Sequence, residues 1–203
     1  MRRLMAVMVL GATLLIAGSA MAAAQAPQAL VEETSKLMLG KLKEEAAVIK
    51  AEPGRIYELV NQIVLPHFDF EYMSQMVLAK YWQRATPAQK KAFVEEFRTL
   101  LVRTYATSLN QYTDQKLTFK PFRPEARPEL ATVHSEVAQP GGVPIPIDYR
   151  LRQEGEQWKV FDVVIDGVSL VTNYRSSFAK EIRVSGLDGL VKTLADRNKQ
   201  VSK

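Results

Sequence analysis

Only two histidines, His67 and His134, occur in the 203 residues, and there is no cysteine. The histidines form neither a His-x-x-x-His nor a Glu-x-x-His arrangement, so their spacing gives no metal site and each reads as a polar structural contact. Without cysteine there is no thiolate nucleophile, no thiolate ligand and no disulfide. Gly167-Val168-Ser169-Leu170 lacks the second glycine of a nucleophile elbow, and Ser169 is better placed as a helix cap. No glycine-rich phosphate loop is present. Carboxylates are the remaining source of chemistry: Asp148, Asp162 and Asp166 fall on or near strands, where a buried carboxylate could act as a general base. Against this, Asp148 lies on the polar side of its alternation, and Asp162 can pair with Arg150 or Arg152 across the sheet. Structural pairing is the simpler reading.

The elements that hold these groups can be read from periodicity. Leu30, Val31, Leu37, Met38, Leu42, Val48 and Ile49 form a helical stripe over 28–50 that Pro53-Gly54 stops. A short helix fits Ile56, Leu59, Val60 and Ile63. Asp69 caps another, carrying Met73, Met76 and Val77. Thr86-Pro87-Ala88-Gln89 is a capping box with proline at the first helical position. It opens a helix of about 25 residues with Phe93, Phe97, Leu100, Leu101, Tyr105, Leu109 and Tyr112 on one face. The period then shortens. Leu117 to Phe122 and Thr132 to Gln139 read as strands, and Gly141-Gly142 as a turn. Ile145, Ile147, Tyr149 and Leu151 alternate with Asp148, Arg150 and Arg152, and Trp158 to Ile165 follows a turn at Gly155. Gly167 ends the sheet. Two helices close the chain, one capped by Ser169 and one after Ser185-Gly186. Helices, then a four-stranded meander, then helices make an α+β domain with helices on one face of a curved antiparallel sheet.

The N-terminus stands apart. Met1-Arg2-Arg3 precedes an uncharged run from Leu4 to Ala17, and small residues from Gly18 to Ala24 supply A-x-A cleavage sites. This is the pattern of a cleaved signal peptide over residues 1–24, leaving 25–203 as a single exported domain. The run of about 14 residues is short of the roughly 20 that span a bilayer. Loss of Arg2 and Arg3 takes 27 basic residues to 25 against 22 acidic, a mature charge of +3. With the aromatics on apolar helix faces, this weak excess does not indicate nucleic acid.

Several segments, matching in order, resemble the MlaC or toluene-tolerance family of periplasmic phospholipid-binding proteins. They are Phe68-Asp69-Phe70; Tyr81-Trp82-Gln83-Arg84-Ala85-Thr86-Pro87-Ala88-Gln89; Ile147-Asp148-Tyr149-Arg150-Leu151; Trp158 to Ser169; Asn173-Tyr174-Arg175-Ser176-Ser177-Phe178; and Gly186-Leu187-Asp188-Gly189-Leu190. The resemblance spans roughly residues 30–198, with Ala79 where a glycine is expected. It implies a strongly curved sheet of about four strands whose helices enclose an apolar cavity. It also implies a non-catalytic, monomeric periplasmic carrier in the Mla pathway. Such a carrier has no cofactor and moves phospholipid between an outer-membrane lipoprotein–porin complex and an inner-membrane ABC transporter.

For such a carrier the acyl tails would meet Met73, Met76, Val77, Phe97, Leu101, Tyr105, Tyr149, Val164, Val168, Val171, Tyr174 and Phe178. A two-tailed lipid would need a cavity of roughly 1,000 Å³. The phosphate would stay at the mouth in water, with Arg84, Arg103, Arg150 and Arg175 as weak candidate contacts, for each of which a solvated or ion-paired surface role is the simpler reading. Two other classes stay open: an enzyme using Asp148, Asp162 and His134, and an interaction module with a filled core and an exposed groove.

Overall fold

A computed structural model describes residues 26–109, 116–139 and 141–200. The signal segment and Tyr112 lie outside these. The chain begins with α1 (Pro27–Glu44), α2 (Ala46–Ala51) and α3 (Arg55–Leu59), the last continuing through a π-helical turn (Val60–Val64) and a 3-10 turn (Leu65–His67). Next come α4 (Phe70–Leu78), α5 (Lys80–Arg84) and α6 (Pro87–Leu109). Strands β1 (Leu117–Phe119), β2 (Leu130–Val137), β3 (Ile145–Glu154), β4 (Gln157–Ile165) and β5 (Val168–Ser169) follow, and α7 (Leu170–Gln200) closes the chain.

Most starts and stops have the chemistry expected of them. Thr86 and Gln89 exchange both bonds of the capping box: the Thr86 N–H donates to Gln89 Oε1 at 3.0 Å and the Gln89 N–H to Thr86 Oγ at 3.2 Å. Asp69 Oδ1 accepts from the Tyr72 N–H at 2.8 Å, capping α4. α7 is two helices joined at Gly186, whose φ of 71° and ψ of 177° suit glycine alone. The helix expected over 28–50 is divided: Glu45 leaves helical geometry (φ −101°, ψ 15°), and α2 beyond it buries nothing.

The sheet is antiparallel throughout, in the order β1-β2-β3-β4-β5. It has five strands, not four. Gly167 does not end it, because Asp166 and Gly167 both take positive φ (50° and 78°) and fold the chain into a two-residue hairpin that pairs Ile165 with Val168. One irregularity bends the sheet. Arg150 pairs with Asp162 but Leu151 with Val160, leaving Phe161 as an extra residue on β4, and such a bulge increases local twist.

Buried side chains form two clusters. The larger joins the inner face of the sheet to α4, α6 and α7 around Phe93, Phe97, Leu151, Phe178 and Leu190. The smaller gathers Met38, Leu42, Ile56, Leu59, Val60, Leu65 and Ala106 where α1, α3 and the π-helical turn meet α6.

Candidate functional site: an apolar cavity between two cores

A cavity of about 340 Å³ lies between the two clusters and takes its wall from both. The sheet supplies Ile147 and Tyr149 from β3 and Val160, Val163 and Ile165 from β4. Their register explains this: Ile147 pairs with Ile165 and Tyr149 with Val163, so all four side chains rise on one face. α1 contributes Leu30, Val31, Thr34, Ser35 and Met38, an i, i+4 stripe. α6 brings Leu101, Val102, Tyr105, Ala106 and Leu109; Val60, Val64, Leu65, His67, Phe68 and Phe70 close the remaining side with Met73 and Leu170.

Its few polar groups are mutually engaged. The Tyr149 phenol is hydrogen-bonded with Ser135 and Ser35, yet burial dominates and pushes its pKa up. Ser135 also donates to the Ile147 carbonyl at 2.9 Å. Burial, with Tyr174 as hydrogen-bond partner, pushes the Tyr105 phenol up to about 12. Both phenols therefore stay neutral at physiological pH. His67 is held below the usual imidazole value, first by burial and then by the charge of Lys159. The wall is thus apolar with uncharged hydroxyls, which suits hydrocarbon chains.

Of the twelve residues expected to meet acyl tails, Met73, Leu101, Tyr105 and Tyr149 line this cavity. The others stand elsewhere. Phe97, Tyr174 and Phe178 join Phe93 in a packed aromatic cluster with centroids 5.3–5.9 Å apart, because the aromatic stripe of α6 meets that of α7. Val77 and Val171 are filled core, and Met76 packs against it. Val164 lies on the strand face opposite Val163, and Val168 on the edge strand is 55% exposed.

Two of the four arginines expected near a headgroup are engaged elsewhere. Arg150 pairs with the buried Asp162 at 3.3 Å, and Arg175 donates from Nε to the Met76 carbonyl at 2.7 Å. Arg84 is exposed on α5, whereas one terminal nitrogen of Arg103 is buried without a partner. The carboxylates have structural partners too. Asp162 accepts from Ser169 Oγ at 2.6 Å and from the Val171 N–H at 3.1 Å, which fixes the start of α7. Asp148 meets His134 Nδ1 at 2.8 Å. None of Asp148, Asp162 and His134 lines the cavity.

The model of the MlaC protein family matches residues 32–196. The chain belongs to the MlaC family. It is 31% identical over 167 residues to the toluene tolerance protein Ttg2D of Pseudomonas putida, covering 82% of this chain and 77% of that one. It is 24% identical over 168 residues to the intermembrane phospholipid transport system binding protein MlaC of Haemophilus influenzae, covering 81% and 78%. Among solved structures, a phospholipid-binding protein from Ralstonia solanacearum in complex with a phospholipid superposes with a TM-score of 0.79. That pair is 33% identical and covers 87% of this chain and 98% of the other.

In this MlaC-family chain the wall residues missed from sequence come from every side of the cavity, and the largest group from one element is the five of α1. Their signal was present: Leu30, Val31 and Met38 with Thr34 and Ser35 between them form one helix face whose apolar run is broken only by small hydroxyls.

Proposed function

We propose that this chain is a periplasmic phospholipid carrier, holding acyl tails in the cavity and performing no catalysis. It passes its cargo between an outer-membrane lipoprotein–porin complex and an inner-membrane ABC transporter, as a monomer after removal of residues 1–24. The observation that carries this reading is the apolar cavity between two cores, in an MlaC-family chain that superposes on a phospholipid-bound structure. The absence, among the described residues, of any helix long and apolar enough to cross a membrane accords with export.

Two acyl chains carry about 30 methylenes, and at roughly 0.8 kcal/mol each their exposure to water costs on the order of 20 kcal/mol. A lipid crossing an aqueous space therefore needs an apolar container. Transfer from bilayer to cavity exchanges one apolar medium for another, so that term largely cancels and loading runs near equilibrium. Direction then comes from the partners. The 340 Å³ cavity is about a third of the roughly 1,000 Å³ a two-tailed lipid needs, so loading widens it.

Native mass spectrometry of the mature protein, before and after incubation with liposomes, followed by organic extraction, tests the reading. Adducts of phospholipid mass at stoichiometric occupancy are expected. A chain that stays lipid-free after liposome incubation overturns it.

A further inference from the structure

The positive charge of this molecule is concentrated at one end. The ring contacts Phe97–Tyr174 (5.3 Å) and Phe93–Phe178 (5.8 Å) run α6 antiparallel to the first segment of α7, and Gln89 Nε2 donates to Asp188 Oδ1 at 2.9 Å. The start of α6 therefore lies level with the Gly186 corner, and α5 leads directly into it. Residues 80–91 and 180–188, which make up this end, carry six cations (Lys80, Arg84, Lys90, Lys91, Lys180, Arg183) and two carboxylates, Glu181 and Asp188. Residues 25–203 hold 25 basic and 22 acidic side chains, so setting these aside leaves 19 against 20, and the whole positive surplus sits here. None of the six is in an ion pair among the described residues. Five are exposed; Lys90 is half-buried, its ammonium 5.1 Å from the centre of the Trp82 ring. Beside Arg183 projects Val184, 86% exposed, because it lies about 200° around the helix from buried Ile182. None of these residues lines the cavity.

We propose that this end is an electrostatic docking surface for an anionic lipid bilayer, with its cations against the headgroup phosphates and Val184 at the headgroup level. A bilayer containing anionic lipids is a diffuse negative sheet, and each cation near it strengthens binding about fivefold without a fixed partner. Four of the six cations are lysines, hydrated point charges on flexible stems that need no matched geometry. An acidic protein surface would fit the charge as well, but a protein interface also needs a desolvated core of aromatic or apolar anchors. Here Trp82 is buried and Tyr81 half-buried, which leaves Val184 as the one exposed large apolar side chain of this end. A lone apolar tip among lysines suits a headgroup layer. Because the surface contains no cavity residue, docking and loading are separate properties of the molecule.

Flotation of the mature protein with vesicles of dioleoylphosphatidylcholine, alone or mixed equally with dioleoylphosphatidylglycerol, tests the surface. Wild type is expected to float with the anionic vesicles at low salt and to leave them as salt rises, since the screening length falls from roughly 10 Å at 0.1 M to about 3 Å at 1 M. Joint reversal of three exposed cations (Lys91→Glu, Lys180→Glu and Arg183→Glu) should lower the bound-to-free ratio by about a hundredfold or more, with the circular dichroism spectrum unchanged. Lys91→Arg with Lys180→Arg should keep the binding, and Val184→Trp should raise it severalfold, because an indole sits well at the headgroup level. A triple variant that floats like wild type overturns the surface, and so does equal flotation of wild type with neutral and anionic vesicles. Wild type that ignores anionic vesicles at low salt also overturns it and reassigns the patch to an acidic protein face. Lipid occupancy is read by native mass spectrometry on the same samples. A lipid-free chain that floats with anionic vesicles keeps the docking surface and loses the carrier reading; a loaded chain that does not float does the reverse.

Discussion

Ala79 occupies a backbone conformation that its side chain opposes. Its φ of 48° and ψ of −118° turn the chain sharply from α4 into α5, where glycine is the natural occupant. Ala79→Gly is therefore expected to stabilise the protein by about 1 kcal/mol, read as a higher midpoint in urea unfolding with an unchanged slope. His67 gives a second residue-scale expectation. Its folded pKa is below the 6.5 of the free side chain, so the unfolded chain binds more protons as the pH falls. Stability is unaffected by His67 above about pH 6.5, declines below it, and levels off once the lowered folded value is passed. The difference in melting temperature between wild type and His67→Gln should shift against wild type between pH 7 and 5; a flat difference would contradict this assignment. Residue chemistry of this kind was partly legible beforehand. Cross-strand reach offered Arg150 or Arg152 as the partner of Asp162, and Arg150 is the one that pairs. The reach of Lys159 to Pro66 did not, because nothing in the local pattern says that residues 93 apart in sequence come together.

Among the elements, α7 depends on one break. Gly186 separates the segment carrying Tyr174 and Phe178 from the one carrying Leu190 and Leu194, and its backbone angles let both segments turn a face to the core. Gly186→Ala is expected to cost about 2 kcal/mol in chemical denaturation, although no atom stands within 4 Å of the added methyl. The cost lies in the backbone, not in crowding. Helix starts and the alternation of β3 were readable because capping and pleating are local effects. The hairpin into β5 was missed because glycine marks both the end of a strand and its reversal. Only the positive φ of Asp166 beside Gly167 makes this one a reversal. The cavity wall was the least legible feature. An apolar face has the same period whether it meets atoms or empty space, so Phe97 and Phe178, which pack against each other, looked like Leu101 and Tyr105, which do not fill theirs.

At the scale of the molecule, the cavity makes loading sensitive to which face of β4 is enlarged. Val163→Trp should occupy the cavity and abolish lipid loading in native mass spectra, with the circular dichroism spectrum unchanged. Val168→Trp, on the exposed edge strand, should load as wild type does. Equal behaviour of the two variants would place the tails outside this cavity. The split of the core into two clusters sets the terms for such substitutions, since each cluster keeps its own packing when the space between them is altered.

That split also bears on how the chain breathes. Two cores with a cavity at their seam, bridged by Phe70, need not open together, so the amides of α3 and of the last turns of α1 should exchange with deuterium through a partial opening that leaves β3 and β4 protected. A bound guest touching both cores joins them into one cooperative unit. Deuterium uptake in those helices should then slow toward the rate of the strands on loading, while the strands hardly change. The seam would in this way report occupancy as a change in cooperativity, visible in exchange rates before any unfolding curve moves.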